Sequence, residues 1–177
     1  MVEQTQRLFF ALWPDQEVRD ALKRRYDKVD EVAVLGRRVA LPNLHITLHY
    51  LGNTTSAQKT CYIKQARRVF VQPFVLHLNQ LGFFPRAAVS WIAPSEVPSA
   101  LKNLHQSLGA EIKPCGFNIE KRVYHPHVTM ARKIRKSGTP IPLRKVLWRV
   151  EDFVLAQSVS TPGGVEYRVV ERLASAD

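Results

Sequence analysis

The pattern His-x-Thr occurs twice in this chain, each time inside a short apolar run. His45-Ile46-Thr47-Leu48 stands near one quarter of the sequence and His127-Val128-Thr129-Met130 near three quarters. Their separation, 127 − 45 = 82 residues, is close to half of the 177. This spacing calls for two related halves that bring two imidazoles and two hydroxyls to one cleft. In a strand, residues i and i+2 point the same way, roughly 6.6–6.8 Å apart. His45 and Thr47 therefore share a face, as do His127 and Thr129. Ile46, Leu48, Val128 and Met130 take the other face, where helices can cover them.

The chemistry of such a cleft follows from its groups. Opening a phosphodiester needs a base for the attacking oxygen and an acid for the leaving oxygen, on opposite sides of phosphorus. Histidine suits both tasks because its ordinary pKa lies near neutrality. Threonine hydroxyls can donate to the non-bridging oxygens as charge builds up. No metal or other cofactor is called for. His45, His49, His125 and His127 could instead gather around zinc. However, no Asp or Glu flanks either motif, and the threonines would then go unexplained.

Hydropathy and turn signals describe an α+β chain. Strands are expected over 7–13, 44–51, 74–83, 88–93, 122–131, 148–159 and 165–173. Helices are expected from Pro14 to about Lys28, from the capping group Thr54-Thr55-Ser56 to about Val71, and over Ser99 to Ile112. A Gly- and Pro-rich loop is expected over 137–142, and the turn Thr161-Pro162-Gly163-Gly164 closes a final hairpin. Each half reads as a helix followed by a His-x-Thr strand. Beyond the motifs the halves share no sequence.

Composition narrows the setting. Lys plus Arg is 26 against 15 Asp plus Glu, a net of +11 that favours a polyanionic partner. The first seven residues are polar and lack the apolar core of a signal peptide, and no apolar stretch is long enough to span a bilayer. A cytoplasmic location is expected. Cys61 and Cys115 belong to no CxxC and form no disulfide framework, so free, partly buried thiols are expected. A single domain over 1–177, acting as a monomer, is long enough to bury its own core.

The surroundings of the motifs carry a resemblance. Arg7-Leu8-Phe9-Phe10-Ala11-Leu12, Asn43-Leu44-His45-Ile46-Thr47-Leu48 with Leu51-Gly52, and His125-Pro126-His127-Val128-Thr129 with Arg132 resemble the 2H phosphoesterases. The closer likeness is to the bacterial RNA 2′,3′-cyclic phosphodiesterases, also described as 2′-5′ RNA ligases. The resemblance covers nearly the whole chain. It implies two pseudo-symmetric lobes of antiparallel sheet, with helices outside, flanking a central groove. It also implies a cofactor-free opening of RNA 2′,3′-cyclic phosphate ends to 2′-phosphates, with 2′-5′ joining as the reverse. His45 would be the proton donor and His127 the proton acceptor. Thr47, Thr129 and Arg132 would hold the phosphate.

Strand parity complicates some candidates. Arg132 follows His127 by five residues, so a regular strand would turn it away from the cleft, and a bulge or the strand's end must re-aim it. His49 shares parity with His45 and Thr47 and is expected at the groove rim as a candidate substrate contact. Tyr50 stands where the resemblance also places an aromatic; parity packs it inward, with base stacking against a substrate as the lesser alternative. Phe9 could floor the groove, with core packing the default. His125 could orient His127 or serve as a turn residue. His77 and His105 lie outside the motifs and are expected on the surface or in the core. A non-catalytic RNA-binding module would use the same charge but would not need two imidazoles. A small cyclic nucleotide is the other substrate that the same chemistry admits.

Overall fold

The computed structural model describes residues 4–33, 36–135 and 138–174. Met1 to Glu3 and Ser137 of the expected loop lie outside them. The elements run β1 (Gln6–Leu12), α1 (Gln16–Ala33), β2 (Arg37–Arg38), β3 (Ile46–Thr54), α2 (Ser56–Ala66), β4 (Phe74–Phe84), β5 (Val89–Pro94), α3 (Ser99–Ile112), β6 (Val128–Arg132), β7 (Ile141–Val150), β8 (Asp152–Thr161) and β9 (Gly164–Ala174). The architecture is α+β, with three helices against one antiparallel sheet.

Strand order is β7-β4-β5-β6-β3-β1-β8-β9, with the short β2 added on β6. Reversal of this order exchanges β3 with β6 and β1 with β5, so the two motif strands meet at the centre. They touch through one ladder pair, Ile46 with Val128. The two motifs are thus joined side by side through main-chain pairing at that position.

The helices cover one face. Val18, Leu22 and Tyr26 recur every four residues and give α1 a single apolar stripe, which is buried. Its Asp15 accepts from the Val18 amide at 2.9 Å and starts the helix. Thr55 and Gln58 form a capping box that starts α2. On α3, Leu101, Leu104, Leu108 and Ile112 form the buried stripe. α1 packs toward the β5 and β7 half, where Tyr26 and Ser90 share a buried hydrogen bond of 2.7 Å. α2 and α3 pack on each other, and α3 also packs against β3.

Leu8 to Leu12 are all buried, because β1 is covered on both faces. Leu8, Phe10 and Leu12 join the main core under the helices. Phe9 and Ala11 join a smaller cluster with Val154 and Ala156 on the opposite side. Burying one such large side chain stabilises the fold by roughly 1.5–3 kcal/mol.

Several sequence expectations are corrected here. The expected strand over 122–131 begins only at Val128, because 117–127 is irregular and Pro126 has no amide to give a ladder. The run 148–159 is divided between β7 and β8, and β7 takes in the end of the expected loop. Cys61 and Cys115 are joined in a disulfide, not free. They lie 54 residues apart, and packing of α2 against α3 brings their Cα atoms to 5.7 Å.

Candidate active site

Two small irregularities in the ladders decide what faces the groove. In β3, Thr47 pairs with Ala11 and His49 with Phe10, so the strand carries an extra residue after its threonine. In β6, Thr129 pairs with Trp91 and Ala131 with Ser90, so an extra residue stands at the matching place. A bulge of this kind reverses the parity of everything beyond it. Arg132 is thereby turned back to the groove, as its role in the resemblance required.

The same reversal corrects two expectations in β3. His49 is not at the rim; it is 5% exposed and faces the helices, where its Nε2 meets the His105 carbonyl at 2.8 Å. Gly109 makes room for it, since a Cβ there would lie 3.1 Å from the His49 ring. Tyr50 does not pack inward; it is 55% exposed and lines the groove opposite Phe9.

The groove is a cavity of about 1050 Å³ lined from both halves of the chain, including His45, Thr47, His127, Thr129 and Arg132. Each motif imidazole is held the same way. His45 Nδ1 lies 2.7 Å from the Asn43 carbonyl and His127 Nδ1 lies 2.7 Å from the His125 carbonyl. A carbonyl only accepts, so each Nδ1 carries hydrogen and each Nε2 is left to exchange a proton. In the neutral His45 ring, the Thr47 hydroxyl donates to Nε2 at 3.1 Å. His125 itself is exposed at the groove, and its carbonyl is what orients His127.

The two rings differ in their surroundings. His45 lies among Phe9, Trp13 and Tyr167, with ring centres 4.9, 5.8 and 5.0 Å away. Phe9 therefore both packs in the small cluster and floors the site. His127 meets Phe84 at 5.0 Å and Trp91 at 6.5 Å. Trp91 can lie there because its ladder partner is Gly82, where a Cβ would fall 2.2 Å from the indole. Burial, the largest cause, pulls His45 down from 6.5 to about 4 against the raising effect of the Asn43 carbonyl. Burial also lowers His127, while the His125 carbonyl raises it. The Arg132 charge lowers both.

Among the described residues, seven Arg or Lys side chains line the cavity beside one carboxylate, Glu120. Arg122 pairs with Glu120 at 2.6 Å, and Arg38 with Asp27 at 2.7 Å. Among the described residues the side chains of Arg7, Arg86, Arg132 and Lys133 make no hydrogen bond or salt bridge. They are available to an anion. No group of three or more His, Cys, Asp or Glu among the described residues is arranged to hold a metal ion. No helix among them is long and apolar enough to cross a membrane.

Sequence reasoning missed Trp13, Tyr167 and Tyr124. Tyr167 lies 122 positions from His45 and reaches it only because β9 returns beside β8 and Asn43 clips it in place, accepting from the Tyr167 amide at 3.1 Å. Tyr124 stacks on His105 at 3.9 Å, and His105 stacks on His49 at 4.2 Å. His77 is exposed, as expected of a residue outside the motifs.

Two imidazoles held in one tautomer, each with a threonine, across a cationic groove are the groups that a two-histidine phosphoesterase site requires. The chain matches the model of the 2′-5′ RNA ligase superfamily over residues 14–160, and it belongs to that family. It is 29% identical to the RNA 2′,3′-cyclic phosphodiesterase of Escherichia coli, over 98% of each chain. It is 30% identical to the protein of that name from Archaeoglobus fulgidus, over 92% of this chain and 96% of the relative. The crystal structure of E. coli LigT complexed with 3′-AMP matches with a TM-score of 0.88 at 29% identity, covering 98% of this chain and 99% of that one.

Proposed function

We propose that this protein hydrolyses RNA 2′,3′-cyclic phosphate ends to 2′-phosphates by two-histidine acid–base catalysis. The observation that carries the reading is the matched pinning of both Nδ1 atoms, which leaves two Nε2 atoms beside Thr47, Thr129 and Arg132 in one groove. His127 takes a proton from water through Nε2. The water oxygen attacks phosphorus, and the bond from phosphorus to the ribose 3′ oxygen breaks. His45 gives its Nε2 proton to that oxygen. The two threonines and Arg132 hold the non-bridging oxygens as charge develops. A 5′-hydroxyl RNA end in place of water makes a 2′-5′ linkage with the same groups. The 177 residues act as one domain and as a monomer, since both motifs come from one chain, each half supplying one histidine.

The test is incubation with a short RNA ending in a 2′,3′-cyclic phosphate, in excess EDTA, beside His45→Ala and His127→Ala. A 2′-phosphate from the wild type and from neither variant is expected. No turnover, with equal RNA binding by all three proteins, would replace this reading with a non-catalytic RNA-binding module.

A further inference from the structure

The two sides of the groove are chemically unlike. The paired bulges bring Tyr50 and Arg132 to matching places, so a phenol ring stands on one side where a guanidinium stands on the other. Among the described residues, Tyr50 is the one exposed Phe, Tyr or Trp side chain that lines the groove. β1 keeps regular register with β8, so Ala11, Phe9 and Arg7 project to one face at successive steps. Each step is roughly 6.6–6.8 Å. Thr47 pairs with Ala11, Tyr50 with Phe9 and Asn53 with Arg7. Outward from the phosphate position, this side offers a hydroxyl, then an aromatic pair, then a cation with no partner among the described residues. The other side differs: Val89 pairs with Arg132, and the next residue of that parity, Ala87, lies in a turn.

An RNA end presents groups in a complementary order: the cyclic phosphate, the base beside it, then the phosphodiester that leads to the preceding nucleotide. We infer that Phe9, Tyr50 and Arg7 form a subsite for the nucleotide that carries the cyclic phosphate. Tyr50 stacks on its base, and Arg7 pairs with the phosphodiester on its 5′ side. The RNA body therefore leaves the groove over β1. This rests on the cyclic-phosphate reading and fits its division of labour. The departing 3′ oxygen belongs to that nucleotide, so its sugar and base lie on the His45 side and the His127 side is left for water.

The test compares two substrates: a nucleoside 2′,3′-cyclic monophosphate, which has no 5′ phosphodiester, and a dinucleotide ending in a 2′,3′-cyclic phosphate. Arg7→Gln should lower the ratio of kcat/KM, dinucleotide over mononucleotide, at least about fivefold. It should also reduce the salt slope of the dinucleotide KM by about 0.7, the value of one lost phosphate contact on a single strand. Arg149→Gln, the same charge change on the edge strand β7, should leave the ratio as it is. Tyr50→Ala should raise KM for both substrates about 5- to 150-fold, and Tyr50→Phe should restore it. An unchanged ratio in Arg7→Gln overturns the subsite, as does a Tyr50→Ala effect confined to kcat. If the wild type opens neither substrate, the cyclic-phosphate reading falls first and takes the subsite with it.

Discussion

The Tyr124 hydroxyl donates to the main-chain carbonyl of Thr47 at 3.0 Å. Tyr124 stands three residues before His127, in the irregular segment that leads to the second motif, and Thr47 belongs to the first. This bond and the Ile46–Val128 ladder pair are direct ties between the two motif segments. Tyr124→Phe keeps the stack on His105 but leaves the Thr47 carbonyl without this donor. A net hydrogen bond is worth about 0.5–1.5 kcal/mol. Thermal unfolding should fall by about 2–4 °C. Turnover should fall, because the loss loosens the segment that carries both His45 and the phosphate-holding Thr47 relative to His127. A variant with the wild-type kcat would reduce Tyr124 to a packing residue.

The threonines should matter through the transition state. Thr47→Ala and Thr129→Ala each remove a hydroxyl aimed into the groove, and each should slow turnover roughly 10²–10³-fold if that hydroxyl meets a developing oxyanion. Circular dichroism should be unchanged. Near-normal rates in folded variants would make the hydroxyls structural.

Much of this site was legible in the sequence because its period is local. His45 with Thr47, and His127 with Thr129, needed only the two-residue repeat of a strand. What failed was parity past the threonines. A bulge is a property of two strands in register, and nothing in Leu48-His49-Tyr50 alone announces it. Hence His49 and Tyr50 exchanged faces, while Arg132 gained the groove face. Tyr167 and the disulfide were hidden for a related reason. Each depends on elements that are distant in the chain and adjacent only after the sheet and helices have packed.

Gly82 offers a steric test of the His127 pocket. With Trp91 lying over it, a methyl group at Gly82 has no room, and Gly82→Ala must push the indole away from its place beside His127. Overpacking of this kind costs about 1–3 kcal/mol. The variant should melt earlier and show altered tryptophan fluorescence, and its kcat should fall. An unshifted emission spectrum and melting temperature would mean that the indole lies elsewhere in solution.

The Cys61–Cys115 bond closes a loop across 54 positions of the chain. Loss of such a link destabilises a domain by about 4 kcal/mol on the loop-entropy account. Reduction, or the paired change Cys61→Ser with Cys115→Ser, should lower the melting temperature. Two free thiols by mass spectrometry in the unreduced protein would contradict the bond. Phe117, two residues beyond Cys115, packs edge-on against His49 at 5.0 Å, so hydrogen exchange should rise first in the segment after α3.

The pH dependence carries a sign that follows from the electrostatics. Catalysis needs one histidine protonated and the other neutral. Burial disfavours the charged ring, and it holds His45 at about 4 and His127 below its ordinary 6.5 in the free protein. The fraction with one proton on the pair is greatest between those two values. The kcat/KM profile should therefore be a bell whose optimum lies on the acid side of neutrality, rather than the neutral bell that two unperturbed histidines would give. Burial lowers His45 more, so between those values the single proton favours His127, and the productive form, with His45 protonated and His127 neutral, is a fixed minor fraction of the one-proton state across the bell. A bound phosphodiester places a negative charge beside both rings, favours the imidazolium and raises both values. The optimum for kcat should accordingly lie at higher pH than that for kcat/KM. Arg132 lowers both histidines by its charge, so Arg132→Gln should shift both limbs of kcat/KM toward alkaline pH whatever it does to the rate. A kcat/KM that climbs steadily to high pH, or limbs that move acidward in Arg132→Gln, would exclude two histidines sharing one proton as the acid and base.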